Sequence, residues 1–342
     1  MIRVAVIGAG YWGPNWIRNL HELNCLGAVC DSDPEQLTAV QARWPVPTTT
    51  SYEAVLADPN ITAVVIATPV HTHHRLARQA LLARKTVLVE KPLALTTEQA
   101  EELVAIGAQS SSTLMVGHLL EYHPAFLALR ERISAGYLGD LRHIRCSRLN
   151  LGKLRQEENV LWSFAPHDLS LILRLIGQEP TRVNACGYQL LGTPREDTVY
   201  VDLEFESGIS AHVHVSWLEP CKLHQFVVIG SRRMAIFNDS LTEGKLRIYD
   251  KGFTATERGW TPRNGDEEII NYPPSEPMRA ELEDFLSACR QPGHRPLADG
   301  QSGVRVVRAL ERISEVLAAR RPLQTAATGA LNRCNCSSGG DF

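Results

Sequence analysis

The sequence predicts an α/β chain in which an N-terminal, doubly wound parallel sheet is followed by an α+β domain with a mainly antiparallel open sheet. Three observations carry that prediction. An apolar run over 4–7 passes directly into Gly8-x-Gly10-x-x-Gly13, a buried strand entering a glycine turn. Through residue 117, apolar runs then alternate with helical periods, as in a parallel sheet covered on both faces. Past residue 120 the period changes, and 199–206 and 209–217 alternate apolar and polar residues strictly.

In the glycine turn, Gly8 would permit the tight bend, Gly10 would let backbone approach a pyrophosphate, and Gly13 would let the next helix pack close. Phosphates would meet free N–H groups at that helix's start, with Tyr11 and Trp12 between the glycines and Pro14 in the first turn. This is the Rossmann fingerprint, and context supports it. After a helix over 16–23, a second short strand, 26–30, ends in Asp31, where an acidic residue binds an adenosine ribose. Asp31, Ser32 and Asp33 offer two carboxylates and no arginine, so a 2′-phosphate would be repelled and NAD is expected rather than NADP. The plainer reading is that this segment only caps the helix from Pro34; both hold if Asp33 or Ser32 caps while Asp31 binds ribose.

The alternation continues through helices at 37–44 and 52–56, a strand at 63–68, and Thr68-Pro69-Val70-His71-Thr72-His73 leading into a helix that runs to 84. A strand at 86–90, a helix at 97–109 and a strand at 113–117 complete the first unit. Ligands gather at the carboxyl ends of parallel strands. Residues 8–13, Asp31, Thr68, Pro69, His71, His73, Glu90, Lys91 and Gly117-His118 would therefore line one crevice.

The second unit is expected to hold a helix over 126–134, a strand over 141–151, a helix over 165–175, the hairpin turning at Ser207-Gly208, and strands at 226–229 and 234–237. Helices at 278–289 and 303–319 would pack back on the first unit. The expected boundaries are 1–120 for the dinucleotide domain, 121–320 for the substrate domain, and 321–342 for a frayed tail holding Cys334 and Cys336.

Composition limits the function classes. With 35 basic and 38 acidic residues interspersed and a net charge of −3, nothing points to nucleic acid or an anionic membrane surface. The first strand begins at Ile2, leaving no room for a signal peptide, and no apolar run approaches a membrane span, so a soluble cytoplasmic protein is expected. Eight cysteines without Cys-x-x-Cys spacing read as reduced, packed thiols. His212 and His214 share a strand face but have no third ligand at recognisable spacing, so no metal is expected.

Two residues stand out for chemistry. Lys91 follows a buried-type strand directly, so its ammonium should emerge at the crevice; Pro92 would fix the loop, through a cis bond if X-Pro chemistry is used, and Glu90 would steer the ammonium. The alternative is an ordinary surface lysine. His167, in Trp162-Ser163-Phe164-Ala165-Pro166-His167-Asp168, would sit at a helix N-terminus, where the dipole disfavours its protonated form and suits it to accept a proton. It reads equally well as a packed histidine, with Asp168 as a first-turn cap.

Taken together, Gly8-Ala-Gly-Tyr-Trp-Gly13-Pro-Asn15, Ala67-Thr68-Pro69, Glu90-Lys91-Pro92-Leu-Ala94 and the later His167 resemble the Gfo/Idh/MocA oxidoreductases over residues 2–320. Within that family, the glycine phrase, Arg148-Leu149-Asn150-Leu-Gly-Lys153 and Asn159 through Asp168 are similar to the branch of nucleotide-sugar 3-dehydrogenases and ketoreductases. The resemblance implies reversible hydride transfer between a nicotinamide and a secondary alcohol of a sugar, at C3 of a nucleotide-activated hexose. A cyclitol (inositol) or free-sugar dehydrogenase is the alternative, and a non-catalytic NAD-binding regulator is the alternative of another class. Lys91 would hydrogen-bond the reacting oxygen and His167 would act as general acid/base. Ser163 stands where many members carry an aspartate, so it offers a hydrogen bond without a charge. Tyr122, Arg148, Asn150, Lys153, Asn159, Trp162, Ser163 and Asp168 are the implied substrate contacts, with Arg148 and Lys153 as a cationic pair for an anionic, diphosphate-linked sugar. A homodimer or homotetramer through the C-terminal sheet is also implied.

Overall fold

A computed structural model describes residues 2–155, 157–291 and 293–320. The expected tail, with Cys334 and Cys336, lies outside the described residues.

The first unit runs β1 (Val4–Ile7), α1 (Gly13–Glu22), β2 (Leu26–Cys30), α2 (Pro34–Gln41), β3 (Thr48–Thr49), α3 (Tyr52–Ala57), β4 (Ala63–Ile66), α4 (His73–Leu82), β5 (Thr86–Glu90), α5 (Thr97–Ser110) and β6 (Leu114–Gly117). Its strands form one parallel sheet in the order β3-β2-β1-β4-β5-β6. The order reverses beside β1, so a crevice opens over the ends of β1 and β4. Every residue of β1 and β4 is buried, which is why these strands read as unbroken apolar runs. Side chains cap α2, α3 and α5 at Asp33, Ser51 and Thr96, but none caps α1. The phosphate end of α1 is thus left without a side-chain acceptor of its own.

The second unit runs α6 (Pro124–Ser134), β7 (Leu141–Leu151), α7 (Val160–Ile176), β8 (Arg182–Tyr188), β9 (Thr198–Glu204), β10 (Ser210–Ser216), β11 (Leu218–Gly230), β12 (Met234–Asn238), β13 (Leu246–Thr256) and β14 (Gly259–Ile269), then α8 (Pro277–Arg290) and α9 (Gly300–Ala319). Its sheet has the order β14-β13-β12-β11-β7-β10-β9-β8. The expected hairpin is β9–β10, paired antiparallel, with Gly208 at φ +79° in its turn. One pair, β7 with β10, is parallel, because α7, β8 and β9 intervene as a crossover.

Four elements escaped the sequence reading: the two-residue β3, β8, and the long hairpin β13–β14. The latter is mostly exposed on both faces, with Phe253 and Trp260 in solvent, so it carries no apolar alternation to read. The helix expected at 165–175 instead begins at Val160, capped by Asn159, whose side chain accepts from the Trp162 N–H. Pro166 therefore lies inside the helix, not at its start.

The last two helices do pack back on the first unit. Met278, Leu282, Phe285 and Leu286 of α8 are buried with β1 and α1 in one core, each worth about 1.5–3 kcal/mol. α9 contributes Val304 and Val307 to the first unit's core and Val306, Leu310 and Ile313 to the second's. It ties the two sheets into a fixed arrangement, and the crevice forms between them. No helix among the described residues is long and apolar enough to cross a membrane.

Candidate active site

Local backbone geometry explains the glycines. Gly8 holds φ +97°, and a Cβ there would meet the Ala67 carbonyl oxygen at 2.7 Å. At Gly13 it would meet the Gly8 oxygen at 2.1 Å, while at Gly10 it would meet nothing. The first and last glycines close the turn, and the exposed middle one leaves room for a ligand. Asp31, at the end of β2, accepts the Ala9 N–H at 2.6 Å and the Asp33 N–H at 2.9 Å, so it also braces the glycine turn. Asp33, not Asp31, caps α2. Ser32 is exposed beside them. No basic side chain occupies 8–13 or 31–33. This surface fits a dinucleotide without a 2′-phosphate, which residues 8–13 would hold, with Asp31 placed to meet its ribose.

Around that crevice, Thr68 and Pro69 follow β4, and His71 is exposed, 3.6 Å from Glu157. His73 does not fit its expected role as a cofactor contact. It is buried, and its two ring nitrogens lie 2.8 Å from the carbonyls of Pro92 and Thr68. Burial lowers its pKa, so the ring is neutral and its one N–H donates to one of these carbonyls, while both nitrogens are enclosed between the loops after β4 and β5.

Lys91 follows β5 through a cis Lys91–Pro92 bond, and its Nζ donates to the Ser163 carbonyl at 3.0 Å. Glu90 does not steer the ammonium directly, as expected from sequence. Its carboxylate accepts from the Trp16 indole at 2.8 Å and from the Lys91 backbone N–H at 3.1 Å, fixing the backbone that carries the lysine. Burial pushes Glu90 up to about 7, against the charge of Lys91 and the Trp16 donor. Burial also lowers Lys91, with Glu158 and Glu90 opposing and Arg155 and Arg148 assisting.

His167 sits two turns inside α7, so the helix dipole does not set its protonation. Burial does, and it holds the ring well below the usual histidine range, helped by Lys91, Arg148, His118 and His224. Its Nδ1 is buried without a partner. The same holds for both ring nitrogens of His118, just past β6, where burial lowers the pKa to about 3. Ser163, whose carbonyl meets the Lys91 ammonium, stands four residues before His167 on α7, so ammonium and neutral imidazole lie on the same side of that helix, an arrangement in which the imidazole can take a proton from a hydroxyl that the ammonium polarises.

Several expected substrate contacts are committed elsewhere. Arg148 is buried and bidentate to Asp168, at 2.8 and 3.0 Å, so its charge is spent inside the protein and neither residue is free for a diphosphate. The Tyr122 hydroxyl donates to Asp284 at 2.6 Å and accepts from the Ala298 N–H at 3.1 Å. Asn159 caps α7 and donates to Glu196 at 2.8 Å. Trp162 donates to Ser314 at 3.0 Å, yet its ring lines a cleft of about 350 Å³ with His71, Leu95 and Arg195. Ser163 is buried and meets Lys91 through its carbonyl, not its hydroxyl. Asn150 remains available, with its Oδ1 buried and unpaired, and Lys153 is exposed in the loop after β7. In that loop, Arg155 lies over the Tyr11 ring at 5.9 Å, bringing a cation to the glycine turn that the sequence reading missed.

This geometry agrees with what the chain is similar to. Residues 2–118 match the profile of the oxidoreductase family with an NAD-binding Rossmann fold, and 126–236 match the GFO/IDH/MocA C-terminal domain. UDP-N-acetylglucosamine 3-dehydrogenase of Acidithiobacillus ferrooxidans is 32% identical over 316 residues, covering 90% of this chain and 95% of that one. The chain belongs to the Gfo/Idh/MocA oxidoreductases. A solved structure of that dehydrogenase has a TM-score of 0.82 at 29% identity, covering 93% of this chain and 98% of the other. Inositol 2-dehydrogenase of Rhizobium meliloti is 24% identical over 312 residues, 88% of this chain and 92% of that one. The structure of GenD2 from gentamicin A biosynthesis, in complex with NAD, has a TM-score of 0.79 at 25% identity, covering 94% and 95%. As a Gfo/Idh/MocA member the chain is an NAD-binding oxidoreductase.

Proposed function

We propose that the protein is an NAD-dependent dehydrogenase of a nucleotide-activated hexose, oxidising the C3 hydroxyl to a ketone or catalysing the reverse reduction. The observation that carries this reading is the convergence of Lys91 and neutral His167 beside a glycine turn built for a dinucleotide. The similarity to a UDP-N-acetylglucosamine 3-dehydrogenase over nearly the whole chain supports the substrate class.

In the oxidative direction, Lys91 holds one N–H on the Ser163 carbonyl and donates another to the substrate oxygen, favouring its deprotonation. His167 takes the hydroxyl proton on a ring nitrogen. Bound NAD supplies the acceptor for the carbon-bound hydrogen, which leaves as hydride. In the reductive direction His167 returns the proton. Ser163 brings no carboxylate to this exchange, and Asp168, neutralised by Arg148, does not compensate. Proton transfer rests on His167 alone. Lys153 and Arg155, exposed at the mouth, are the cations available to a diphosphate in place of Arg148.

A substrate panel tests the reading: NAD reduction with UDP-N-acetylglucosamine, free N-acetylglucosamine and myo-inositol. Turnover is expected with the nucleotide sugar. Turnover confined to the inositol would make the protein a cyclitol dehydrogenase, and none with any of them, alongside tight NAD binding, would favour a regulator. We infer also a cytoplasmic homo-oligomer joined through the open face of the second sheet, where Tyr200 stacks on His214 at 4.2 Å; cell fractionation and light scattering read both.

A further inference from the structure

The face of the second sheet that packs under α7 changes character along its length. On β7, alternate residues Ile144, Cys146, Arg148 and Asn150 point to that face, and register sets His224 of β11 opposite Arg148, as Phe226 and Val228 stand opposite Cys146 and Ile144. The first two pairs are buried and apolar. The next rung is Arg148 with His224, followed by Asn150, at the end where α7 carries His167 and Asp168. A core that turns polar in consecutive rungs beneath a catalytic histidine is the floor of a polar ligand site.

The tautomer of His224 follows from its neighbour. The Arg148 Nη1 lies 3.4 Å from His224 Nδ1. A guanidinium has donors only, so Nδ1 accepts and the ring proton is on Nε2. That Nε2–H is buried and has no partner among the described residues. Burial first, then the Arg148 and Lys222 charges, lowers the His224 pKa to about 4, so the ring stays neutral and the tautomer fixed. His224 is also one of the four groups whose charge depresses His167. Leaving a buried donor unsatisfied is costly, a penalty removed when a ligand oxygen reaches it.

We propose that His224 is a substrate-binding residue, its Nε2–H donating to a sugar oxygen on the side of the ring away from Lys91, with Arg148 and Asp168 as the positioning pair that fixes its tautomer. The inference rests on the sugar-dehydrogenase reading and adds a specificity contact that sequence reasoning did not single out, since it depends on the β7–β11 register. An acceptor oxygen is required at that position, so a deoxy sugar lacking it is discriminated against.

The test compares His224→Leu and His224→Gln in steady-state kinetics with UDP-N-acetylglucosamine and NAD. Expected is a KM for the sugar about tenfold higher in His224→Leu, with kcat and NAD affinity little changed, and near-normal KM in His224→Gln, whose amide N–H reaches the Nε2 position. Unchanged kinetics in His224→Leu would overturn the proposal. So would an equal fall of kcat in both variants with unchanged KM, which would make His224 a structural support for Arg148. If wild type turns over no nucleotide sugar, the sugar reading fails separately. His224 is then judged by its ¹⁵N imidazole resonance in the NADH-bound protein, titrated with UDP-N-acetylglucosamine and myo-inositol. A shift of the Nε2 signal with either supports the contact, and no shift with both rejects it.

Discussion

At the scale of single residues, the structure separates side chains that face the crevice from those that hold it open. His167 is the clearest of the first kind. Its proton affinity is lowered by burial and by surrounding cations, so it remains a free base below the ordinary 6.5. The sign for catalysis follows directly. Alcohol oxidation needs the neutral ring, so kcat/KM falls as pH drops through the His167 value, and that fall is expected at a pH below 6.5. A pH profile of oxidation measures it, and an acid limb centred above the free-histidine value would contradict the assignment. His73 belongs to the second kind, with both nitrogens enclosed between carbonyls. Sequence could place both histidines at strand or helix ends, but it could not tell which nitrogens were already taken.

At the scale of elements, the main difference between reading and structure lies in α7. A proline in a sequence reads as a helix boundary, and this one is interior, because Asn159 supplies a cap a full turn earlier. That shift moves His167 off the helix N-terminus and hands control of its protonation to burial. The register of β7 against β11 and the buried Arg148–Asp168 pair were equally illegible, since both depend on contacts distant in sequence. By contrast the strands of the first sheet other than the two-residue β3, the glycine turn and Lys91 at the end of β5 were legible, because each is encoded in one short segment. The Arg148 assignment makes an element-level prediction. Arg148→Ala leaves Asp168 buried and unpaired on the inner side of α7, and should cost about 3–5 kcal/mol in denaturant unfolding. A phosphate-binding surface arginine would instead change KM for the sugar nucleotide and leave stability intact.

At the scale of the whole molecule, the two sheets are held at one distance by α9. Lys91 comes from the first sheet and the Ser163 carbonyl and His167 from the helix over the second, so the proposed catalytic pair exists only across that junction. On this proposal the Rossmann half serves NAD and the junction serves dehydrogenation. The most direct measurement is therefore Lys91→Ala assayed for both turnover and NAD affinity. Turnover with the preferred sugar substrate should be lost while the dissociation constant for NAD stays within about twofold of wild type, because the glycine turn and Asp31 are untouched. Retained turnover in that variant would contradict the account.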